Sequence, residues 1–237
     1  LFNSLANKHA DAMDNFPEAI VLPRELSDKK AAETLTSILP VQFERSNFSK
    51  VYSDAWWEKL KSGSAVYGVF WNSKKLGGLG DIDITNVDLL NLYFEPGIKD
   101  IQDSENVFYL KLANNDALIA QYPQLKDKLG GSNIEVQKYA YDDTVDTSNK
   151  TVVVDWYYKK HNSEGKEVLH YCKFCNGVVL YASENESETS ETGFYEHGKY
   201  PFVFCVLYPT QGSPCGFGFI DLMKETQDSI ENLDAAI

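Results

Sequence analysis

Four cysteines are the residues whose type and spacing most clearly could bind a metal or take part in redox chemistry. Cys172-Lys-Phe-Cys175 has the spacing of a zinc-binding pair, and Cys205 and Cys215 would complete a tetrahedral set of ligands. The pair lies in a β-prone run just before Asn176-Gly177, so the alternation of a strand would turn Cys172 and Cys175 toward opposite faces. A redox role would require the pair at a helix N-terminus, and no helical pattern follows it. We therefore predict free thiols.

The histidines offer no clear catalytic group. His9 and His161 lie in polar segments, whereas His170 and His197 could complete a zinc site with the cysteine pair. None is matched with a nucleophile motif such as Gly-x-Ser-x-Gly. We predict no catalytic residue, no cofactor-binding residue and no metal ligand.

A group of carboxylates could form the paired or two-metal site of a hydrolase. It comprises Asp81, Asp83, Asp88, Asp100, Asp103 and Glu105. Asp81 and Asp83 alternate with Ile82 and Ile84, which is typical of a strand with one polar and one apolar face. We predict that these carboxylates are solvated.

Two glycine-rich segments could be taken for phosphate-binding loops. They are Gly77-Gly-Leu-Gly80 and the segment 212–218. Neither ends in the Gly-Lys-Ser/Thr that places a lysine on the phosphates and a hydroxyl on magnesium. We predict turns, since glycine adopts backbone conformations that other residues resist.

The composition is that of a folded domain with an acidic balance. The 237 residues carry a net charge of −13, which argues against tight, sequence-independent DNA binding because phosphate contacts require clustered Lys and Arg. The longest apolar run, residues 201–208, has the length of a strand and falls far short of the ~20 residues that cross a bilayer.

Helical periodicity predicts three helices near the start of the chain. They cover residues 1–20, 29–39 and 47–62. Ser27 or Asp28 would cap the second helix, Pro40 would end it, and Gly63 would be the left-handed C-cap of the third. The core-facing stripe of the second helix would consist of Ala31, Leu35, Ile38 and Leu39.

From residue 65 the pattern is mostly that of strands. We predict a hairpin of strands 65–71 and 81–87, and a further strand at 107–112. We also predict a meander of strands 151–160, 168–175 and 178–182, and an apolar strand at 200–208. Asn176-Gly177 would form the tight turn of the meander. A short helix weakened by Pro123 is expected at 115–128, and Gly130-Gly131 is expected to end it. Loops are expected at 141–150 and 183–192.

The chain would end in a helix over 219–237. Its apolar face would consist of Ile220, Met223, Gln227, Ile230, Leu233 and Ile237. The order of elements indicates an α+β fold with N-terminal helices, mostly antiparallel hairpins and a meander, and a C-terminal helix.

Three stretches carry a recognisable order of motifs. A connector with Pro23 leads into an acidic-capped helix; then Trp71-Asn72, Gly80-Asp-Ile82 and Phe94-Glu-Pro-Gly97 follow in succession. The full stretches are 22–35; 61–72 with 77–84 and 91–101; and 198–204 with 212–222 and 227–233. Together they resemble the portal protein family of tailed bacteriophages, in the branch typical of short-tailed phages.

The resemblance implies a non-enzymatic structural subunit without a cofactor. Such subunits form a dodecameric ring through which DNA enters and leaves the virus head. Implied partners are other copies of the chain, capsid, scaffold, terminase, and neck or tail proteins, with double-stranded DNA passing without sequence-specific binding and no membrane. The implied location is the virion, after assembly in the bacterial host cytoplasm.

The resemblance also implies a division of the chain. Residues 1–64 would be the helical part of the portal wing, 65–210 its β-rich core with a short helix, and 211–237 a turn and the start of the stem helix. Because the chain begins with Leu1 and stops within a helical pattern, we expect a fragment without clip, second stem helix and crown. Two alternatives stay open: a zinc-stabilised binding module built on the four cysteines, and a metal-dependent hydrolase.

Overall fold

A computed structural model of the chain describes residues 1–126, 128–129 and 148–234. The helices are α1 (Phe2–Asp14), α2 (Lys29–Arg45), α3 (Phe48–Ser62), α4 (Asn115–Gln121) and α5 (Phe219–Asp234). The strands are β1 (Ser64–Asn72), β2 (Asp81–Val87), β3 (Leu92–Phe94), β4 (Asn106–Asn114), β5 (Lys150–His161), β6 (Glu167–Cys175), β7 (Val178–Ala182), β8 (Phe202–Val206), β9 (Tyr208–Pro209) and β10 (Gly216–Phe217). The fold is mixed α+β, as predicted.

The chain divides into two compact units. The discontinuous unit consists of residues 1–87 and 201–237, and the inserted unit consists of residues 88–200. The discontinuous unit contains a three-stranded antiparallel sheet in the order β2-β1-β8, in which the predicted hairpin of β1 and β2 is confirmed. Helix α3 contacts β1, β2 and the helices α1, α2 and α5, so it is the central helix of this unit.

Both ends of α3 are set by left-handed residues. Asn47 precedes the helix with a φ of 49°, and Gly63 follows it with a φ of 84° while its N–H donates to the Lys59 carbonyl at 2.9 Å. The predicted C-cap is therefore confirmed. A Cβ on Gly63 would lie 2.1 Å from the carbonyl carbon of Phe217, so glycine here also allows the backbone of β10 to approach.

Helix α2 differs from the prediction in two ways. It runs through Pro40 to Arg45, and neither Ser27 nor Asp28 caps its start through a side chain. Proline removes one hydrogen bond, but the helix beyond it is held by tertiary contacts, including the Gln42 amide that donates to the Ile82 carbonyl at 2.9 Å. The predicted core stripe is also wrong, because Ala32 is buried whereas Leu35 and Ile38 are about half exposed.

The inserted unit is built on a five-stranded antiparallel sheet in the order β3-β4-β5-β6-β7. The predicted meander of β5, β6 and β7 is confirmed, and Asn176 and Gly177 form its turn with φ of 47° and 74°. One face packs Val153 and Cys175 against Leu118 and Leu125. The opposite face carries the cluster of Leu110, Val152 and Val154.

The helix predicted at 115–128 is shorter than expected. It ends at Gln121, because Tyr122 precedes a proline and adopts a non-helical backbone; a 3-10 helix Pro123–Leu125 follows. The side chain of Asn114 caps the helix by accepting from the Asp116 N–H at 2.8 Å. The expected release at Gly130-Gly131 and most of the expected loop 141–150 lie outside the described residues.

The segment 183–192 is not simply solvated, contrary to the prediction. Ser183 is fully buried in a 3-10 helix Ser183–Asn185, and its hydroxyl accepts the Tyr171 N–H at 2.9 Å. Glu184 accepts hydrogen bonds from Tyr158 and Lys160. Charged residues can be held in place by partners distant in sequence, which the polarity of a segment does not reveal.

The predicted terminal helix is confirmed as α5 up to Asp234, and the last three residues lie outside the described range. No residue of α5 is buried. Ile220 and Met223 are half-buried, whereas Ile230 and Leu233 are exposed.

Candidate functional site

The four cysteines are free thiols. Cys172 lies opposite Trp156 and Cys175 opposite Val153, three residues apart on β6 and therefore on opposite faces, as the alternation predicted. Burial raises the pKa of both thiols, and for Cys172 the Glu184 carboxylate adds to the effect. The protonated form is thus favoured, whereas a metal or a disulfide reaction requires the thiolate.

The other two cysteines have separate surroundings. The Lys59 ammonium lies 3.5 Å from the Cys205 sulfur and 3.3 Å from the centre of the Trp56 ring, and the Cys215 N–H donates to the Ser213 hydroxyl at 3.1 Å. Within the described residues, no three or more His, Cys, Asp or Glu side chains form a group that could hold a metal ion. Neither the zinc module nor the metal-dependent hydrolase finds support there.

The prediction that Asp81 is solvated is wrong. Asp81 is only 8% exposed, whereas its neighbour Ile82 is 40% exposed. The Asp81 carboxylate accepts the Ile82 N–H at 2.9 Å and lies 3.8 Å from the Arg45 guanidinium. A carboxylate with donors nearby can be buried, while an isoleucine at a sheet end without cover stays exposed, so the alternation alone assigns the faces incorrectly.

Three of the remaining carboxylates serve local structure. Asp83 forms an ion pair with Lys75 at 2.9 Å. Asp88 and Asp100 cap 3-10 helices by accepting the N–H groups of the residues two positions ahead. Asp103 and Glu105 are exposed, as predicted.

One histidine lies beside a serine hydroxyl, an arrangement that the sequence did not suggest. His170 Nδ1 is 3.0 Å from Ser183 Oγ, and burial lowers the pKa of this imidazole. A nucleophile must reach its substrate, and Ser183 is fully buried while its hydroxyl already accepts the Tyr171 N–H. The pair therefore joins β6 to the segment that follows β7.

The most prominent polar group in the inserted unit is the buried carboxylate of Asp155. It accepts from the Tyr171 hydroxyl at 2.6 Å and lies 3.0 Å from the Lys111 ammonium and 3.7 Å from that of Lys173. Burial and this carboxylate raise the pKa of Tyr171, so the phenol remains a donor. The sequence signal was available: Asp155 interrupts the apolar run of β5 on the face that carries Val153.

These groups hold strands and turns together, and comparison with known proteins agrees with such a structural role. The family model of the phage P22-like portal protein matches residues 10–229. No curated protein matches the chain. Over the residues that the structure describes, none of the helices has both the length and the apolar character to span a membrane. The chain belongs to the phage P22-like portal protein family, a structural, non-enzymatic family of virion components.

Proposed function

We propose that the chain is a structural subunit of a portal ring that forms the DNA entry and exit channel of a phage head. The supporting observation is the family match, which extends through both compact units. The ring would be dodecameric and would dock the packaging motor, then the neck or tail. Capsid, scaffold and terminase would be its other partners, and ATP would be hydrolysed by the terminase.

The segments of the chain would divide this work. Residues 1–64 would form the helical part of the wing and residues 65–210 its β-rich core. Residues 211–237 would form a turn and the start of the stem helix. Assembly would take place in the host cytoplasm before incorporation into the virion.

The acidic residues of helix α5 would repel the phosphates of DNA that passes through the channel. It contains five acidic residues and one basic residue, and residues 228–234 are all exposed. Carboxylates along a channel wall repel phosphate groups, whereas clustered lysines would bind them through release of counterions. A wall of this kind lets duplex DNA slide.

The test replaces three carboxylates of α5 by amides, as Asp228→Asn, Glu231→Gln and Asp234→Asn. In rings assembled from this variant we expect DNA packaging to slow by on the order of two-fold, because the phosphates are no longer repelled. The measurement is the packaging rate with purified motor and empty heads.

The matched control makes the same change of net charge in the inserted unit, as Asp103→Asn, Glu186→Gln and Glu188→Gln, all exposed positions. Equal packaging rates for the two variants would contradict the channel-wall role of α5. Absence of a ring with a central hole in negative-stain images of unaltered subunits would contradict the ring itself.

A further inference from the structure

The turn between β1 and β2 is an exposed apolar projection. We define the hairpin tip as residues 71–82. Within it Trp71 is 61%, Leu76 51% and Leu79 83% exposed. Lys74 is exposed beside them. Large apolar side chains exposed together are a mark of protein interaction surfaces.

The backbone of the hairpin tip is strained at one of these leucines. Leu76 has a φ of 51°, in the left-handed region that glycine occupies without penalty, and the next two residues are glycines with positive φ. A third glycine would form this turn more easily. Strain at a non-glycine residue tends to persist where the side chain has a function, and here the side chain is an exposed leucine.

The same unit contains an apolar groove. The groove encloses about 590 Å³ along the connector between α1 and α2, with Phe16, Ile20, Pro40 and Phe43 among its lining residues. This volume falls in the range of about 300–1,000 Å³ that holds ligand-sized groups. Phe16 and Phe43 each contact the ring of Phe48, so the floor of the groove is anchored in the aromatic core.

The groove carries negative charge where the hairpin tip carries positive charge. Glu18 and Glu44 line the groove and are exposed, and within the described residues no ion pair joins either carboxylate. Lys74 on the hairpin tip is likewise exposed. Complementary charges of this kind fix the orientation of a contact and disfavour wrong partners.

We propose that the hairpin tip of one copy of this chain docks into the groove of a second copy, with Leu76 and Leu79 in the groove and Lys74 beside Glu18 and Glu44. Leu79 is largely exposed, so the hairpin tip does not fill the groove of its own chain. Two different surfaces of one chain that fit each other produce a head-to-tail contact, the type that closes rings. The inference rests on the proposed ring function and identifies one contact within it.

The test uses two variants that each retain one of the two surfaces. The double variant Leu76→Asp with Leu79→Asp replaces the two exposed leucines of the hairpin tip by charged residues. The variant Ile20→Asp, at an exposed position, places a charge in the groove. In sedimentation velocity we expect the wild-type chain to form species larger than dimers and each variant to associate at least ten-fold more weakly. An equal mixture of the two variants retains one intact tip and one intact groove, so it should form dimers and nothing larger.

Two controls separate loss of contact from loss of fold. Leu26→Asp changes an almost fully exposed leucine outside both surfaces and should associate like the wild type. Leu76→Gly removes the side chain and the strained backbone together. It should melt no lower than the wild type yet associate more weakly.

The docking of tip into groove would be overturned if both variants associated as strongly as the wild type. It would also be overturned if the mixture stayed monomeric, or if the wild-type chain never associated. The packaging assay and the negative-stain images address the ring separately. If the variant with Leu76→Asp and Leu79→Asp formed rings, it would therefore contradict this contact and leave the portal function intact.

Discussion

At the scale of single residues, Asp155 shows how one buried charge can select a strand register. The carboxylate lies on the face of β5 that carries Val153, with one hydroxyl and two ammonium groups around it. A shift of the pairing by one residue would move it to the face of Val152 and Val154, where burial without these partners is costly.

Replacing this carboxylate tests that role. Asp155→Ala should lower the free energy of unfolding by about 2–3 kcal/mol, because the hydroxyl of the half-buried Tyr171 loses its charged acceptor and two lysines lose their partner. Urea denaturation provides the measurement. Asp103→Ala, an exposed change in the same unit, should stay within about 0.5 kcal/mol of the wild type. Equal losses in the two variants would show that the cluster around Asp155 does not stabilise the fold.

At the scale of elements, the end of α3 shows one residue serving two neighbours. Gly63 ends the helix in a left-handed conformation and leaves room for the backbone of Phe217 on β10. Its carbonyl accepts the Leu207 N–H at 2.9 Å, which fixes the chain beyond β8 to the end of α3. The helix end, β8 and β10 therefore depend on the same small residue.

Gly63→Ala should destabilise the discontinuous unit by about 3 kcal/mol or more, because the left-handed conformation disfavours a Cβ and the added atom overlaps the Phe217 backbone. Gly212→Ala is the control: Gly212 also has a positive φ, of 79°, but no atom lies within 4 Å of the added Cβ. It should cost only about 1 kcal/mol. The measurement is thermal unfolding followed by circular dichroism, and equal costs would argue against the close approach.

At the scale of the whole molecule, the inserted unit lies in the sequence between two strands of the discontinuous unit's sheet. β2 ends at Val87 and β8 begins at Phe202, and both pair with β1. Every strand pair of the five-stranded sheet lies within residues 88–200. The Tyr200 hydroxyl donates to the Ser104 carbonyl at 2.7 Å, which ties the end of this unit to its beginning.

Residues 88–200 expressed alone should therefore fold, with a cooperative thermal transition and slow amide hydrogen exchange in β4, β5 and β6. A shorter piece, 88–162, lacks the partners of β5 in β6 and should show neither property. Fast exchange throughout 88–200 would contradict the independence of the unit.

Much of the secondary structure followed from local signals. The hairpin, the meander, the turn at Asn176-Gly177 and the C-cap at Gly63 were predicted, because they depend on the alternation of neighbouring residues and on backbone conformations that Gly and Asn adopt. The family resemblance was also present in the order of motifs along the chain, and the family match confirms it.

What the sequence alone determined is thus the type and order of the longer elements and the family, whereas the short strands β3, β9 and β10 were not predicted. Only the tertiary structure decided that α2 continues through Pro40, that Asp81 is buried while Ile82 is exposed, and that Ser183 is enclosed. It alone also revealed the network of Asp155, the exposed leucines of the hairpin tip and the apolar groove. The physical reason is the same in each case: burial and charge pairing depend on residues distant in sequence, and a local pattern contains no information about which of them will meet.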